Sequence, residues 1–322
     1  MMSTPLVPQE IYLLERYTSL ESLEQVRDAW REMLDYVEAM LDRFMLQLPP
    51  DYRNRPLSDQ PDIVWGETVL PNFRSTMQAL DDACIKRAEG DYLALDSVIG
   101  VSGDIRGQKM DYWEGWMDEV EPGAERKYFD LLHRAGQFAR PVHMASGGVW
   151  LVGTFTSRYD DVFSTLPLDP PLSWPVYRLN TQVKVKTGER TPTTGFYLPD
   201  VANSVPRLLI KRDDDWGLAR KAVITNPDST YGDSLPCTWT LIERIADSGG
   251  GIPGQDNASG TDARIQRVPG GQACPVAGWW YTPAAAGSRR YFNQGDSMPN
   301  IEGGSYGDTY WLWDANQSSP KL

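Results

Sequence analysis

The stretch TSLESLEQVRDAWREMLDYVEAMLDRFMLQLPP, residues 18–50, decides the fold of the first half of the chain. It opens on Thr18 and Glu21, whose spacing matches a capping box, in which a hydroxyl and a carboxylate satisfy free amides at a helix start. Apolar residues then recur at helical spacing until Pro49-Pro50 ends the pattern. The stretch therefore predicts one long helix, the spine of a bundle. Its apolar positions are Leu20, Leu23, Ala29, Trp30, Met33, Val37, Met40, Leu41, Phe44 and Leu48.

The rest of the first half also has helical periodicity. We predict a second helix over residues 72–89, a third from about residue 91 towards residue 116, and a fourth with Pro122 in its first turn that ends before Pro141. Three glycines of the third helix lie roughly on one face, and each costs about 1 kcal/mol of helix propensity relative to alanine. This pattern predicts close approach of a neighbouring helix backbone at Gly100, Gly103 and Gly107.

After about residue 146 the composition changes, because Gly and Pro become frequent and short β-prone runs replace the helical pattern. We predict an α+β protein with an acidic helical domain at 1–145 and a β-rich domain at 146–322. Residues 248–261, rich in Gly, Ser and Asn, predict an exposed, mobile loop. The predicted strands lie in residues 148–156, 176–186, 207–211, 238–245 and 306–313.

A sequence pattern occurs twice in the β-rich half and divides it into two parts. Phe196-Tyr197 and Trp279-Trp280 lie in the same frame of Gly, Pro and Ser, and each pair is followed by a second apolar or aromatic pair, Leu208-Leu209 or Tyr291-Phe292. We predict two related small β units at about 174–247 and 264–316; chance similarity between turn-rich segments is the alternative. The frame residues are Gly188, Pro192, Gly195, Pro199 and Ser204, then Gly271, Pro275, Gly278, Pro283 and Ser288.

The charge is uneven along the chain. The formal net charge is −13, and residues 1–140 hold 26 Asp and Glu against 15 Lys and Arg. Phosphate backbones need a basic face, so the balance disfavours nucleic-acid binding and favours a basic protein partner or simple solubility. No membrane span and no basic-then-apolar leader pattern is visible, and three scattered cysteines fit a reduced compartment. These features predict a cytoplasmic protein.

Known catalytic and metal-binding patterns are missing. The chain has two histidines, and its cysteines lack C-x-x-C neighbours. Residues 303–307 match G-x-S-x-G, but no apolar strand precedes them and no histidine follows, so the match indicates a turn. Asp213-Asp214-Asp215 is typical of a solvated turn. We predict no catalytic residue, no metal and no cofactor.

Once catalysis and metal binding are set aside, the remaining class of function is the binding of another macromolecule. Interfaces favour Trp, Tyr and Arg as anchors, with charges that set orientation and rate. The tryptophans of the stretch at 104–121 are either partner contacts or helix-packing residues, and Arg289-Arg290 either pairs with acids of the helical half or contacts a partner. The candidate partner-binding residues are Asp104, Asp111, Trp113, Glu114, Trp116, Asp118, Glu119, Arg289 and Arg290.

The C-terminal motifs resemble those of a known family. CPVAGWWYTP at 274–283 and SRRYF at 288–292, followed by Gly295, Met298-Pro299, Tyr306-Gly307, Trp311 and Trp313, resemble the signature of immunity protein 72 and its relative, immunity protein 71. LERY at 14–17 through DYWEGW at 111–116 is similar to the helical part of the same proteins. The resemblance covers most of the chain, but nothing in residues 248–261 matches.

The resemblance implies an immunity protein encoded beside a polymorphic toxin, one often delivered by type VI or contact-dependent secretion. It implies stoichiometric occlusion of a toxin that acts in the cytoplasm, and it carries over no catalytic residue. The acidic half suggests that the toxin domain is basic. Two alternatives stay open: an adaptor or chaperone for a secreted effector, and a hydrolase or transferase accessory to a secretion system. The sequence does not determine the oligomeric state.

Overall fold

The computed structural model describes residues 6–147, 150, 175–226, 231–245, 267–275, 277–282, 284–285, 288–301 and 309–314. The chain divides into two compact units. Arg16–Gly148 form the helical unit, whereas Met1–Glu15 and Val149–Leu322 form the β-rich unit. The predicted boundary at 145/146 assigned the first fifteen residues to the helical half; in the structure they group with the β-rich half. The predicted α+β class, with helices before antiparallel sheets, is confirmed.

Helices occupy the chain up to residue 146. A π-helix, Trp65–Val69, joins two of the α-helices, and single 3-10 turns lie at Tyr52–Asn54, Leu57–Asp59 and Tyr92–Ser97. Among the described residues the α-helices are α1 (Pro8–Tyr17), α2 (Leu20–Leu46), α3 (Pro61–Val64), α4 (Leu70–Ala88), α5 (Val98–Asp111), α6 (Trp116–Val120) and α7 (Ala124–Ser146).

The long helix α2 has 27 residues, as the opening stretch predicts. Its cap is one residue later than expected, because Ser19, and not Thr18, accepts a hydrogen bond from the amide of Ser22. Its apolar stripe is buried, and the indole of Trp30 donates to the carbonyl of Phe73 at 3.0 Å. The helix ends at Leu46, just before the two prolines.

Three predicted helix boundaries are wrong. The third helix is interrupted, since α5 ends at Asp111 and the extended backbone of Tyr112 separates it from α6. The fourth begins at Ala124, after a left-handed Gly123 (φ 88°), so Pro122 precedes the helix. It also continues through Pro141, which is buried inside α7. Proline removes one helical N–H, and here burial of the last turns holds the helix together despite that loss.

The predicted close approach of a neighbouring helix backbone is not found at the three α5 glycines, although Gly100 does lie against a side chain of α4. A methyl group at Gly100 would meet the hydroxyl of Thr76 on α4 at 3.3 Å. At Gly103 and Gly107 it would meet nothing within 4 Å, so no neighbouring backbone of the described chain requires a glycine there. The prediction of close backbone approach is therefore wrong at all three positions.

The core of the helical unit contains a chain of edge-to-face aromatic rings. Trp65 packs on both Trp116 and Tyr128, with centroids 5.6 and 5.5 Å apart. Phe44 packs on Trp116 at 5.6 Å and on Tyr52 at 5.6 Å. These rings come from α2, the π-helix, α6, α7 and a 3-10 turn, so aromatic packing fixes the short elements against the long helices.

The described part of the chain from residue 177 to residue 313 contains ten strands, with loops and one 3-10 turn between them. Predicted strands at 176–186, 207–211, 238–245 and 306–313 contain observed ones, and residues 148–156 and the predicted loop at 248–261 lie outside the described residues, except Trp150. The strands are β1 (Tyr177–Lys186), β2 (Gly195–Pro199), β3 (Arg207–Leu209), β4 (Ala222–Thr225), β5 (Tyr231–Leu235), β6 (Thr238–Arg244), β7 (Arg267–Pro269), β8 (Gly278–Tyr281), β9 (Arg290–Phe292) and β10 (Tyr310–Trp313).

Two four-stranded antiparallel sheets share one strand order. The first sheet is β1-β6-β2-β3 and the second sheet is β7-β10-β8-β9, so in each the first strand pairs with the last and the second lies between the last and the third. The registers also correspond. Val185 faces Trp239, Tyr197 faces Leu241 and Gly195 faces Leu209 in the first sheet, as Val268 faces Trp311, Trp280 faces Trp313 and Gly278 faces Phe292 in the second.

A buried tryptophan makes the same hydrogen bond in both sheets. The indole of Trp239 donates to the carbonyl of Arg220 at 2.7 Å, and the indole of Trp311 donates to the carbonyl of Pro299 at 2.9 Å. Both rings are 1% exposed. Each therefore joins its last strand to the loop that follows the third strand.

The turn after the first strand is also the same. Gly188 and Gly271 both adopt left-handed backbone, with φ of 85° and 83°. The amide of Gly188 donates to Ala219 at 2.8 Å, and that of Gly271 donates to Met298 at 2.6 Å. The two sheets, which lie within the predicted units at about 174–247 and 264–316, thus share strand order, register and loop hydrogen bonds, and a common origin of the two units stays a prediction.

Candidate functional site

The predicted acidic stretch of the helical unit is largely used inside the fold. Asp104 on α5 is half-buried, and its carboxylate accepts a hydrogen bond of 2.6 Å from the hydroxyl of Thr76. Burial raises the pKa of Asp104, and the Thr76 bond opposes that rise only in part. This carboxylate joins α5 to α4.

Three further carboxylates of this stretch have partners within the helical unit. Glu114 accepts from the side-chain amide of Gln108 at 3.0 Å. Asp118 accepts from the amide of Glu125 in the first turn of α7 at 2.9 Å, where the positive end of the helix dipole also stabilises its negative charge. Glu119 makes a two-pronged ion pair with Arg55, with both distances 3.0 Å. These contacts shape the loop from α5 to α7.

The two tryptophans of this stretch differ in exposure. Trp116 is fully buried in the aromatic chain described above, so its ring is a core residue and is not presented to a partner in this structure. Trp113 is 42% exposed, and its carbonyl accepts from the indole of Trp65 at 2.9 Å. Asp111 is the last residue of α5, and its side chain lies outside the described part. Trp113 is thus the accessible aromatic ring of the stretch.

The predicted arginine pair lies on the second sheet, at and beside its edge strand β9. Arg289 forms a short ion pair with Asp314, and its guanidinium stacks over the ring of Trp279 at 4.3 Å. Arg290 is exposed and lies over the rings of Phe292 and Trp311, at 4.8 and 4.5 Å. Aromatic rings therefore orient both cations.

Tyr291 completes this group of side chains. It faces Trp279 across β8 and β9, and the two rings pack edge to face at 5.7 Å. Tyr291 is 52% exposed although it lies in a regular strand. We call Trp279, Arg289, Arg290 and Tyr291 the β9 surface. The sequence candidates included its arginines but missed its two aromatic residues.

The corresponding part of the first sheet is apolar and buried. The shared register places Phe196 and Leu208 where the second sheet has Trp279 and Tyr291. Phe196 and Leu208 are 8% and 6% exposed. Comparing the two copies of the sequence pattern position by position is the signal that could have found Tyr291, since a tyrosine replaces a leucine there.

Other reactive groups are buried or dispersed. The thiols of Cys84, Cys237 and Cys274 are buried, and burial raises the pKa of the Cys84 and Cys237 thiols, which keeps them protonated near neutral pH. In the part of the chain that the structure describes, no three His, Cys, Asp or Glu side chains gather as metal ligands. Asp214 caps a 3-10 turn at Asp215–Gly217. No described helix has the length and apolar character of a bilayer span.

No protein-family model, curated protein or solved structure matches this chain. The resemblance to immunity proteins 71 and 72 therefore stays a prediction that rests on the residues that suggested it.

Proposed function

We propose that this chain is an immunity protein that binds a cognate bacterial toxin domain in the cytoplasm and blocks its active site stoichiometrically. The observation that carries the proposal is the β9 surface, where a half-exposed tyrosine, a tryptophan and one ring-stacked arginine share a face of the sheet and a second ring-stacked arginine lies on the other face. Tyr, Trp and Arg are the residues that contribute most often to binding hot spots in protein interfaces. The same residues belong to the motif that resembles the immunity families.

Rigidity supports a binding role for this surface. The ion pair with Asp314 and the contact with Trp279 hold Arg289 in one place, and two rings hold Arg290. A side chain ordered before binding loses less conformational entropy when a partner arrives. Preorganised aromatic and arginine side chains on a sheet therefore favour tight binding without a large rearrangement.

The helical unit has a separate electrostatic role in this proposal. Acidic residues recur along the exposed side of α2, where Glu21, Asp28, Asp35 and Asp42 are all exposed. Together with the net charge of −13, they give a field that would attract a basic region of the toxin and speed its encounter. Long-range attraction and short-range docking thus use different parts of the chain.

The decisive experiment is co-expression. The full chain is expressed with the toxin-like C-terminal domain encoded by the adjacent open reading frame, and growth is compared with cells that express that domain alone. Growth rescue together with a one-to-one complex in titration calorimetry is the expected result. Binding without rescue would refute immunity and indicate an adaptor, and the absence of both would refute the proposal.

A further inference from the structure

The strand β9 is an edge strand with two exposed side chains of different chemistry. It pairs with β8 on one side, and no described strand lies on its other side. Arg290 and Tyr291 are both exposed. Successive side chains of a strand point to opposite faces of the sheet, so a molecule that contacts both residues must lie along the outer edge of β9.

Arg290 has its orientation fixed while its charge stays unmatched within the described chain. The rings of Phe292 and Trp311 hold the guanidinium, but no described carboxylate forms an ion pair with it. Arg289, one residue earlier, already pairs with Asp314. A planar guanidinium with free donors matches a carboxylate, which it can bind through two parallel hydrogen bonds.

Side chains accept from backbone amides within β1, whereas in the second sheet the comparable described contact lies just after β9, where Asp296 accepts from the amide of Asn293 at 2.7 Å. On β1, the side chain of Asn180 accepts from the amide of Gln182 at 3.0 Å, and that of Glu189 accepts from the amide of Lys186 at 3.0 Å. Side chains of the chain itself thus occupy backbone donors, which discourages strand pairing with another chain.

The strand equivalent to β9 in the first sheet is β3, and it is covered. Its leucine at position 208 is 6% exposed, compared with 52% for Tyr291. The arginine equivalent to Arg290 is Arg207, which is half-buried, and burial next to Arg220 lowers its pKa to about 10. The strands β3 and β9 therefore hold equivalent places in their sheets, but the residues of β3 are largely buried whereas Arg290 and Tyr291 of β9 are exposed.

We propose that the outer edge of β9 receives an extended, carboxylate-bearing segment of the toxin domain, whose carboxylate binds Arg290 and whose neighbouring apolar side chain packs on Tyr291. This inference rests on the proposed function, since it names the docking place and the chemistry of the partner segment. Addition of an extended segment to a sheet edge is a common mode of peptide recognition. Because β9 has only three residues, side-chain contacts supply most of the specificity.

The test uses the full chain and the purified toxin domain from the adjacent open reading frame. Arg290→Glu and Tyr291→Ser are measured by titration calorimetry, and Arg290→Lys tests whether charge alone suffices. The first sheet offers matched controls, Arg220→Glu and Trp216→Ser, because this exposed pair also stacks, at 5.2 Å, and Trp216 is 54% exposed. Thermal unfolding of each variant establishes that it folds.

We expect the Kd to rise about 30-fold or more for Arg290→Glu and about tenfold for Tyr291→Ser, while both controls stay within about twofold. Arg290→Lys should recover part of the loss, because a lysine keeps the charge but not the planar fork.

If the wild type binds and rescues while the β9 variants bind equally well, the inference is wrong and immunity stands. A self-association of the chain that the β9 variants abolish would assign the edge to a second copy and overturn the inference. A wild type that neither binds nor rescues refutes both proposals.

Discussion

The first and second sheets share strand order, register and loop hydrogen bonds, but they differ at the positions of Phe196 and Trp279. In the first sheet this face also has Leu208 and is buried. In the second it has Tyr291 and the Arg289 to Asp314 ion pair, and it reaches the surface at Tyr291. Positions that agree between the sheets hold the fold, whereas positions that differ report what each sheet faces.

The first sheet also anchors a helix. In the β-rich unit, Glu15 on α1 accepts from the phenol of Tyr177 at 2.7 Å and from Arg244 at 3.1 Å. Tyr177 and Arg244 are cross-strand neighbours on β1 and β6, and alternation places them on the face that has Phe196. The first sheet thus receives an element of its own chain on the face whose counterpart in the second sheet has Tyr291.

The largest expected effect tests whether the two sheets are equivalent in energy as well as in geometry. Trp239→Ala and Trp311→Ala each remove a fully buried indole and its hydrogen bond, and each should lower the free energy of unfolding of the β-rich unit by about 3–5 kcal/mol. Chemical denaturation followed by circular dichroism measures this. Trp216→Ala, which removes an exposed ring, is the control, with a change of about 0.5 kcal/mol or less. A large cost in one sheet and almost none in the other would break the equivalence.

The next effect concerns the anchoring of α1 to the first sheet. Glu15→Ala leaves the Tyr177 phenol and the Arg244 guanidinium without their shared acceptor, and both lie in a largely buried position. Since the pair is about one-fifth exposed, we expect a loss of about 2 kcal/mol, less than for a fully buried pair. Glu243→Ala, which breaks the exposed pair with Arg178, should cost much less.

The same carboxylate predicts a pH dependence. Burial raises the pKa of Glu15 above its ordinary value of 4.5, although Tyr177 and Arg244 oppose the rise. The folded state then binds a proton more tightly than the unfolded state, so the contribution of Glu15 is fully present below pH 4.5 and declines as pH rises through the folded-state pKa. The stability of the wild type relative to Glu15→Gln should therefore fall with pH over that window. A constant difference would contradict this.

A smaller effect tests the shared turn. Gly188→Ala and Gly271→Ala force a side chain into left-handed backbone, which costs about 1–2 kcal/mol. Because the φ angles and the hydrogen bonds correspond, the two losses in unfolding free energy should be equal within about 0.5 kcal/mol. Gly103→Ala on α5 gives the opposite sign, since that glycine is in a helix with open space beside it. Unequal losses at the two turns would show that the turns are only superficially alike.

Periodicity in the sequence predicted the parts of the fold that local physics determines. The apolar stripe of α2 and the change to short strands after residue 146 depend on neighbouring residues, and both are observed. The predicted start of the fourth helix at Pro122 and its predicted end before Pro141 were both wrong. The expectation that a proline ends a helix considers only neighbouring residues, whereas burial of residues such as Val142 holds the last turns of α7 together. The relation between the two β units stays a prediction, and left-handed glycines at the corresponding turns, Gly188 and Gly271, support it.

The candidate surface was only partly predictable. The sequence indicated Arg289 and Arg290, but it did not separate Trp113 from Trp116, because it did not show that Trp113 lies in the segment before α6 while Trp116 begins α6 and packs into the core. It also did not foresee that Asp118 accepts a hydrogen bond from the backbone amide of Glu125, or that Glu119 forms an ion pair with Arg55. Such pairings join residues from different elements, so no local pattern in one sequence reveals them.

The smallest predicted effect separates the two sheets at a single pair of positions. Arg289 and Asp314 form an ion pair on the second sheet, and the first sheet has the buried apolar residues Pro206 and Ile242 at the corresponding positions. A double-mutant cycle of Arg289→Ala and Asp314→Ala should give a coupling free energy of about 0.5–1 kcal/mol, because both side chains are partly exposed.

Salt provides the control for this coupling. Raising the ionic strength from 0.05 to about 0.5 M shortens the Debye length severalfold, so the coupling should weaken, while the contact of Arg289 with the ring of Trp279 is affected less. If the coupling were near zero at low salt, the ion pair with Asp314 would not be what holds Arg289 in place. The second sheet would then differ from the first through its aromatic residues, and Tyr291 with Trp279 would account for the contrast without the ion pair.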